Sequence, residues 1–189
     1  MTTVILGVGN RLRSDDGIGS LIAEEILRYA QNDKQFFCHS EGALATEESQ
    51  KRSIREAIVR SDSSASPQND ITFNLIVFDV ETTPENYIDK VVEAKPDWVI
   101  IVDACNFSVE PGEFKLFEED EIKEISYGLL STHTLPLTLT IELIKKQHNC
   151  RISLLGIQPK SFTMSTDLSP ELLEAKEKII QFIKKLITE

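Results

Sequence analysis

Short apolar runs alternate along this chain with longer stretches whose apolar residues return at helical spacing, and few folds tolerate that alternation. Thr3 to Leu6 is apolar and ends in glycines, as a buried strand does. Ile18, Leu21, Ile22, Ile26 and Tyr29 then share one face of a helix. Asn74 to Asp79 reads as a second strand, and Thr83-Pro84-Glu85 opens the next helix with cap, proline and first-turn acid. That helix carries Tyr87, Ile88, Val91 and Val92 and ends near Lys95-Pro96. Trp98 to Val102 is a third strand, and Phe114 to Phe117 a short edge strand behind the Pro111-Gly112 turn. A helix from near Pro136 holds Leu139, Leu143 and Ile144, and Ile152 to Ile157 is a further strand. Ser169-Pro170-Glu171 caps a last helix whose stripe includes Leu172, Ile179, Ile180 and Ile183. The alternation predicts an α/β fold: a mostly parallel sheet with helices on both faces. Such sheets place their sites beyond the carboxyl ends of the strands.

The 189 residues suit one domain spanning 1–189. Residues 31–72 break the rhythm, because connections in such folds take only a few residues. The stretch is rich in Ser, Glu, Gln, Asp and Ala, so a largely disordered surface insertion is expected. Ile54, Ala57 and Ile58 offer one or two helical turns within it. Gln31-Asn32-Asp33 recurs at Gln68-Asn69-Asp70, and Pro67 to Asp70 and His39 to Gly42 can be encoded by opposite strands of one DNA stretch. We read this as a DNA inverted repeat inserted in frame, a hypothesis that coding DNA without a hairpin-forming repeat would overturn.

A net charge of −11 opposes nucleic acid or an anionic membrane surface as the main partner. Cys38, Cys105 and Cys150 are widely spaced, with no C-x-x-C, which fits neither a structural zinc site nor a redox pair. No apolar stretch approaches the roughly 20 residues of a membrane helix, and a cytoplasmic protein is expected.

The polar chemistry gathers at a few places. Gly7-Val8-Gly9 follows the first strand, but Leu12 stands where a dinucleotide-binding fingerprint needs its third glycine, so no nucleotide is expected. The run continues to two adjacent acids, Asp15 and Asp16, either of which suits a helix start. Asp103 ends the apolar run W-V-I-I-V-D at 98–103, where a buried carboxylate is costly unless paired or bound to a cation. Asp79 competes for the same role after the second strand, and the residues alone do not separate them. His133 lies in the polar run S-T-H-T-L-P at 131–136, whereas His39 and His148 have no evident role. Asp16, Asp103 and His133 together suit a divalent cation with open coordination positions. Cys105 has no histidine near it in sequence and reads as a small buried thiol.

Four separated motifs, G-V-G-N-x-L-x-x-D-D-G-I-G from residue 7, I-I-V-D-A at 100–104, Thr132-His133 and L-L-G-I-Q-P at 154–159, resemble the hydrogenase maturation endopeptidases. T-P-E-N-Y at 83–87 and G-I-Q-P look most like the branch serving formate-hydrogenlyase-type hydrogenases. The resemblance implies a three-layer α/β/α sandwich. It implies an endopeptidase, of aspartic or metal-dependent type, that removes the C-terminal extension of a nickel–iron hydrogenase large-subunit precursor after nickel insertion. It selects Asp16 over Asp15 and Asp103 over Asp79, with His133, as catalytic and metal-contacting residues. Gly7, Gly9, Asn10 and Asp15 would shape the substrate loop, and the nickel would arrive within the precursor. Glutamate at 81 departs from the family, which commonly has glycine in the stretch matching Val80-Glu81. A non-catalytic nickel-sensing chaperone for the same precursor is the rival reading.

Overall fold

The computed structural model describes residues 1–32, 37–38, 56–60, 74–126 and 137–188. Among the described residues, seven strands form one sheet in the order β2-β3-β4-β1-β5-β7-β6. They are β1 (Thr2–Val8), β2 (Phe37–Cys38), β3 (Glu56–Arg60), β4 (Asn74–Glu81), β5 (Trp98–Ala104), β6 (Phe114–Glu118) and β7 (Arg151–Ile157). The helices are α1 (Ile18–Asn32), α2 (Ile88–Glu93), α3 (Glu119–Ser126), α4 (Leu137–Gln147) and α5 (Pro170–Thr188).

The four central strands, β4, β1, β5 and β7, run parallel, while β3 and β6 pair antiparallel on their flanks. Each central strand reads as an unbroken apolar run because both of its faces are covered. Alternation sorts the side chains: Ile5, Ile100, Val102 and Leu155 pack against Ile18, Ile22 and Ile26 of α1 and Ile179, Ile180 and Ile183 of α5. On the opposite face Val4, Leu6, Ile101 and Leu154 meet Val91 of α2, Ile122 of α3 and Ile141 and Ile144 of α4. The expected three-layer α/β/α architecture is the one observed.

Several expectations need adjustment. The residues around Ile54, Ala57 and Ile58 do not form helical turns where they are described: Glu56–Arg60 is a strand, antiparallel to β4. A row of backbone donors and acceptors along the β4 edge offers more partners to five residues than an isolated helical turn does. The rest of the 31–72 segment, β2 and the end of α1 apart, lies outside the described residues. Helix α3 was not legible either: in E-D-E-I-K-E-I-S acids dominate, and the helix is tied to the core through Ile122. The Thr83 side chain accepts no capping hydrogen bond; Pro84–Tyr87 instead makes a short 3-10 turn leading into α2.

Chain order makes the sheet reverse direction beside β1. From β1 the chain passes through α1 on one face to reach β4, then through α2 on the other face to reach β5 on the far side of β1. The crevice at the carboxyl ends of β1 and β5 is therefore the switch point where open α/β sheets bind ligands.

Candidate active site at the carboxyl ends of β1 and β5

The loop after β1 folds back tightly over the strand ends. Gly9 has φ +144, and a Cβ there would lie 1.9 Å from the Asp16 carbonyl oxygen, so only glycine lets the Asp16 segment close over it. Gly19 sits at the start of α1, where a Cβ would lie 2.1 Å from the Val102 carbonyl oxygen and 2.3 Å from that of Val8. The helix thus enters wedged between β1 and β5. Gly7 pairs with Val102 in the sheet, one residue before Asp103, and the Ser14–Gly17 turn packs on β5. Asp16 and Asp103 are both buried, at 2% and 7% exposure. The structure thus brings these two sequence-chosen acids to the same strand ends.

Asp15 is fully buried and points elsewhere. Its carboxylate accepts hydrogen bonds from the backbone N–H groups of Lys160 (2.8 Å), Ser161 (2.9 Å) and Ser169 (2.7 Å). One side chain thereby ties the loop after β1 to the loop after β7 and to the start of α5. The two loops also run side by side, with Ser14 N–H donating to Ser165 O and Ser165 N–H to Leu12 O. Asn10 accepts from the Leu12 N–H at 2.9 Å, which turns the chain after Gly9.

Asp79, the competing acid, is engaged by protein partners at both oxygens: Ser20 Oγ donates to Oδ1 at 2.6 Å and Arg11 to Oδ2 at 2.7 Å. The Arg11 guanidinium also donates to Ser20 Oγ (2.7 Å), to the Ser20 carbonyl (3.1 Å) and to Glu24. Burial pushes the Glu24 carboxyl up, but Arg11 and Arg28 outweigh it and hold the group below its ordinary range. Glu81 takes up the turn that follows with φ +49, and its carbonyl accepts from Gly9 N–H at 2.8 Å.

Gln158 was not singled out from sequence beyond its place in G-I-Q-P. Its side-chain oxygen accepts from Phe107 N–H at 2.9 Å, and its amide donates to Asn106 Oδ1 at 3.2 Å. It therefore anchors the loop that follows Asp103. Cys105 is a free buried thiol pushed up to about 12 by burial and by the Asp103 charge, so it stays protonated and is no nucleophile near neutral pH.

His133 lies outside the described residues. Among the described residues no group of three or more His, Cys, Asp or Glu side chains is gathered to hold a metal ion. No helix among them is long and apolar enough to cross a membrane.

A twisted α/β/α sandwich with buried acids at its switch point is a frame shared by many enzymes; similarity to known proteins narrows it to a peptidase class. The profile of the hydrogenase maturation proteases matches residues 62–186. The chain belongs to the hydrogenase maturation protease family. It is 27% identical over 181 residues to the Hydrogenase 3 maturation protease of Escherichia coli K12, covering 96% of this chain and 88% of that protein. The crystal structure of the [NiFe] hydrogenase maturation protease HycI from Thermococcus kodakarensis superimposes with a TM-score of 0.66 at 28% identity, over 100% of this chain and 93% of that one. The hydrogenase maturating endopeptidase HybD of E. coli shares the fold, with a TM-score of 0.66 at 18% identity over 97% of this chain and 90% of that one.

Proposed function

We propose that this protease removes the C-terminal extension of a nickel–iron hydrogenase large-subunit precursor after nickel insertion, with Asp16, Asp103 and His133 as its reactive groups. The observation that carries the reading is the placement of two buried carboxylates, Asp16 and Asp103, at the β1/β5 switch point. Open α/β sheets take their ligands at the switch point, and carboxylates there suit a precursor that presents nickel. Nickel held by the precursor supplies Lewis-acid polarisation of the scissile carbonyl and of water.

The chain's own groups do the rest. Gly9 and Gly19 let the Asp16 turn close onto β5, and Asp15 and Gln158 hold the flanking loops. One carboxylate takes a proton from water as the oxygen joins the carbonyl carbon. The C–N bond then breaks, and the proton passes to the leaving nitrogen, so each turnover consumes one water and leaves no residue modified. Asp16 and Asp103 share the metal contact and base roles between them, and His133 completes the set.

The test is incubation of a nickel-loaded precursor with the chain, followed by C-terminal mass analysis. Loss of the extension is expected, and Asp16→Ala, Asp103→Ala and His133→Ala should each slow it at least about 100-fold. Cleavage unchanged in Asp16→Ala and His133→Ala overturns the assigned roles. A complex that forms while the precursor keeps its full mass would instead favour the non-catalytic chaperone.

A further inference from the structure

Arg11 is the side chain that fastens the Asp16 loop to the body of the protein. It leaves the loop between Asn10 and Leu12, yet its guanidinium reaches Asp79 at the end of β4 (2.7 Å), both Ser20 Oγ (2.7 Å) and the Ser20 carbonyl (3.1 Å) in α1, and Glu24 one turn on. These partners belong to two elements, β4 and α1, and two of them, Ser20 and Asp79, are fully or almost fully buried. Ser20 Oγ donates in turn to Asp79 at 2.6 Å, so the three side chains close a ring of hydrogen bonds. Five residues further along the chain, Asp16 sits in the turn that packs on β5. On the far side the loop is held by Asp15; on the near side Arg11 supplies the side-chain ties to β4 and α1.

We infer that Arg11 is a positioning residue for cleavage: by strapping the loop to Asp79, Ser20 and Glu24 it fixes where Asp16 stands relative to Asp103. The inference rests on the function proposed above. A planar guanidinium suits the role because it addresses several acceptors at once in fixed directions, which an ammonium does not. Loss of the strap leaves Asp16 present but loosely held, and misplacement of a reactive group by about 1 Å costs on the order of 100-fold in rate.

The experiment compares wild type, Arg11→Gln, Arg11→Lys and Asp79→Asn in two measurements. The first is processing of nickel-loaded precursor well below each variant's melting temperature. Arg11→Gln should lower kcat about 10- to 100-fold with KM within about threefold. Arg11→Lys, which keeps the charge beside Asp79, should lie between, and adding Asp79→Asn to Arg11→Gln should lower kcat little further. The second is amide hydrogen exchange without precursor, where the segment 9–17 should exchange about tenfold faster in Arg11→Gln while β5 is unchanged. A folded Arg11→Gln that cleaves at the wild-type rate, or exchange unchanged at 9–17, overturns the inference. Should Arg11→Gln fail to fold, Arg11→Lys carries both readouts. If wild type cleaves nothing, the proposed function falls, and the exchange comparison still decides whether Arg11 holds the loop.

Discussion

At the scale of single residues, neighbours with the same chemistry have different work. Asp15 satisfies three backbone N–H groups of another loop, whereas Asp16 lies at the strand ends. Removing the Asp15 carboxylate strands those donors in a part-buried setting, so Asp15→Ala should lower stability by about 3 kcal/mol in urea unfolding; a change under about 1 kcal/mol would show that water replaces it. Glu81 holds φ +49, a conformation that favours glycine. Glu81→Gly should therefore raise stability by about 1 kcal/mol in the same measurement, the left-handed strain outweighing the entropy glycine adds to the unfolded chain. A loss instead would mean that the glutamate side chain contributes more than its backbone costs. Glu24 gives the pH signature of the Arg11 cluster. Its folded-state value is depressed, so its contribution is present above the ordinary 4.5 and is lost as pH falls through the lower folded value. Glu24→Gln should be the less stable protein at pH 6 and should lose less than wild type on going to pH 3.5.

At the scale of elements, the site depends on how closely α1 approaches the sheet. Gly19 permits contact with the Val8 and Val102 carbonyls that any Cβ would obstruct at little over 2 Å. The obstructing atoms are backbone in the two central strands, so nothing flexible can give way. Gly19→Ala should then cost at least about 3 kcal/mol, or prevent folding, and a well-folded Gly19→Ala with near-normal melting would contradict the packing described. Element identity was otherwise well marked in sequence, because strands covered on both faces must be continuously apolar and their boundaries carry Gly, Pro and Asp. The elements that escaped, β2, β3 and α3, take their state from neighbours: β3 from the hydrogen-bonding edge of β4, β2 in turn from β3, and α3 from the core cluster that receives Ile122.

At the scale of the whole molecule, three long-range ties frame the switch point. Arg11 joins the loop after β1 to the end of β4, Asp15 joins it to the loop after β7, and Gln158 joins the loops after β7 and β5. The precursor-processing assay tests the molecule at this scale, since the proposed cleavage draws on all the framed loops at once. Each tie spans dozens of positions in sequence, and no local pattern announces such a pairing.

The sequence by itself determined the α/β class, the order of its main elements and the short set of polar residues worth considering. These follow from local rules: periodicity, turn chemistry and the cost of a carboxylate at the end of an apolar run. Choosing among the acids was different. Asp15, Asp16, Asp79 and Asp103 look alike as strings, and residue patterns left them open until family resemblance selected two. Only the tertiary structure showed that Asp79 is occupied by Arg11 and Ser20, and Asp15 by three backbone amides. The reason is physical: what a carboxylate does is decided by the donors that surround it, and here those donors come from elements that meet only when the sheet is assembled.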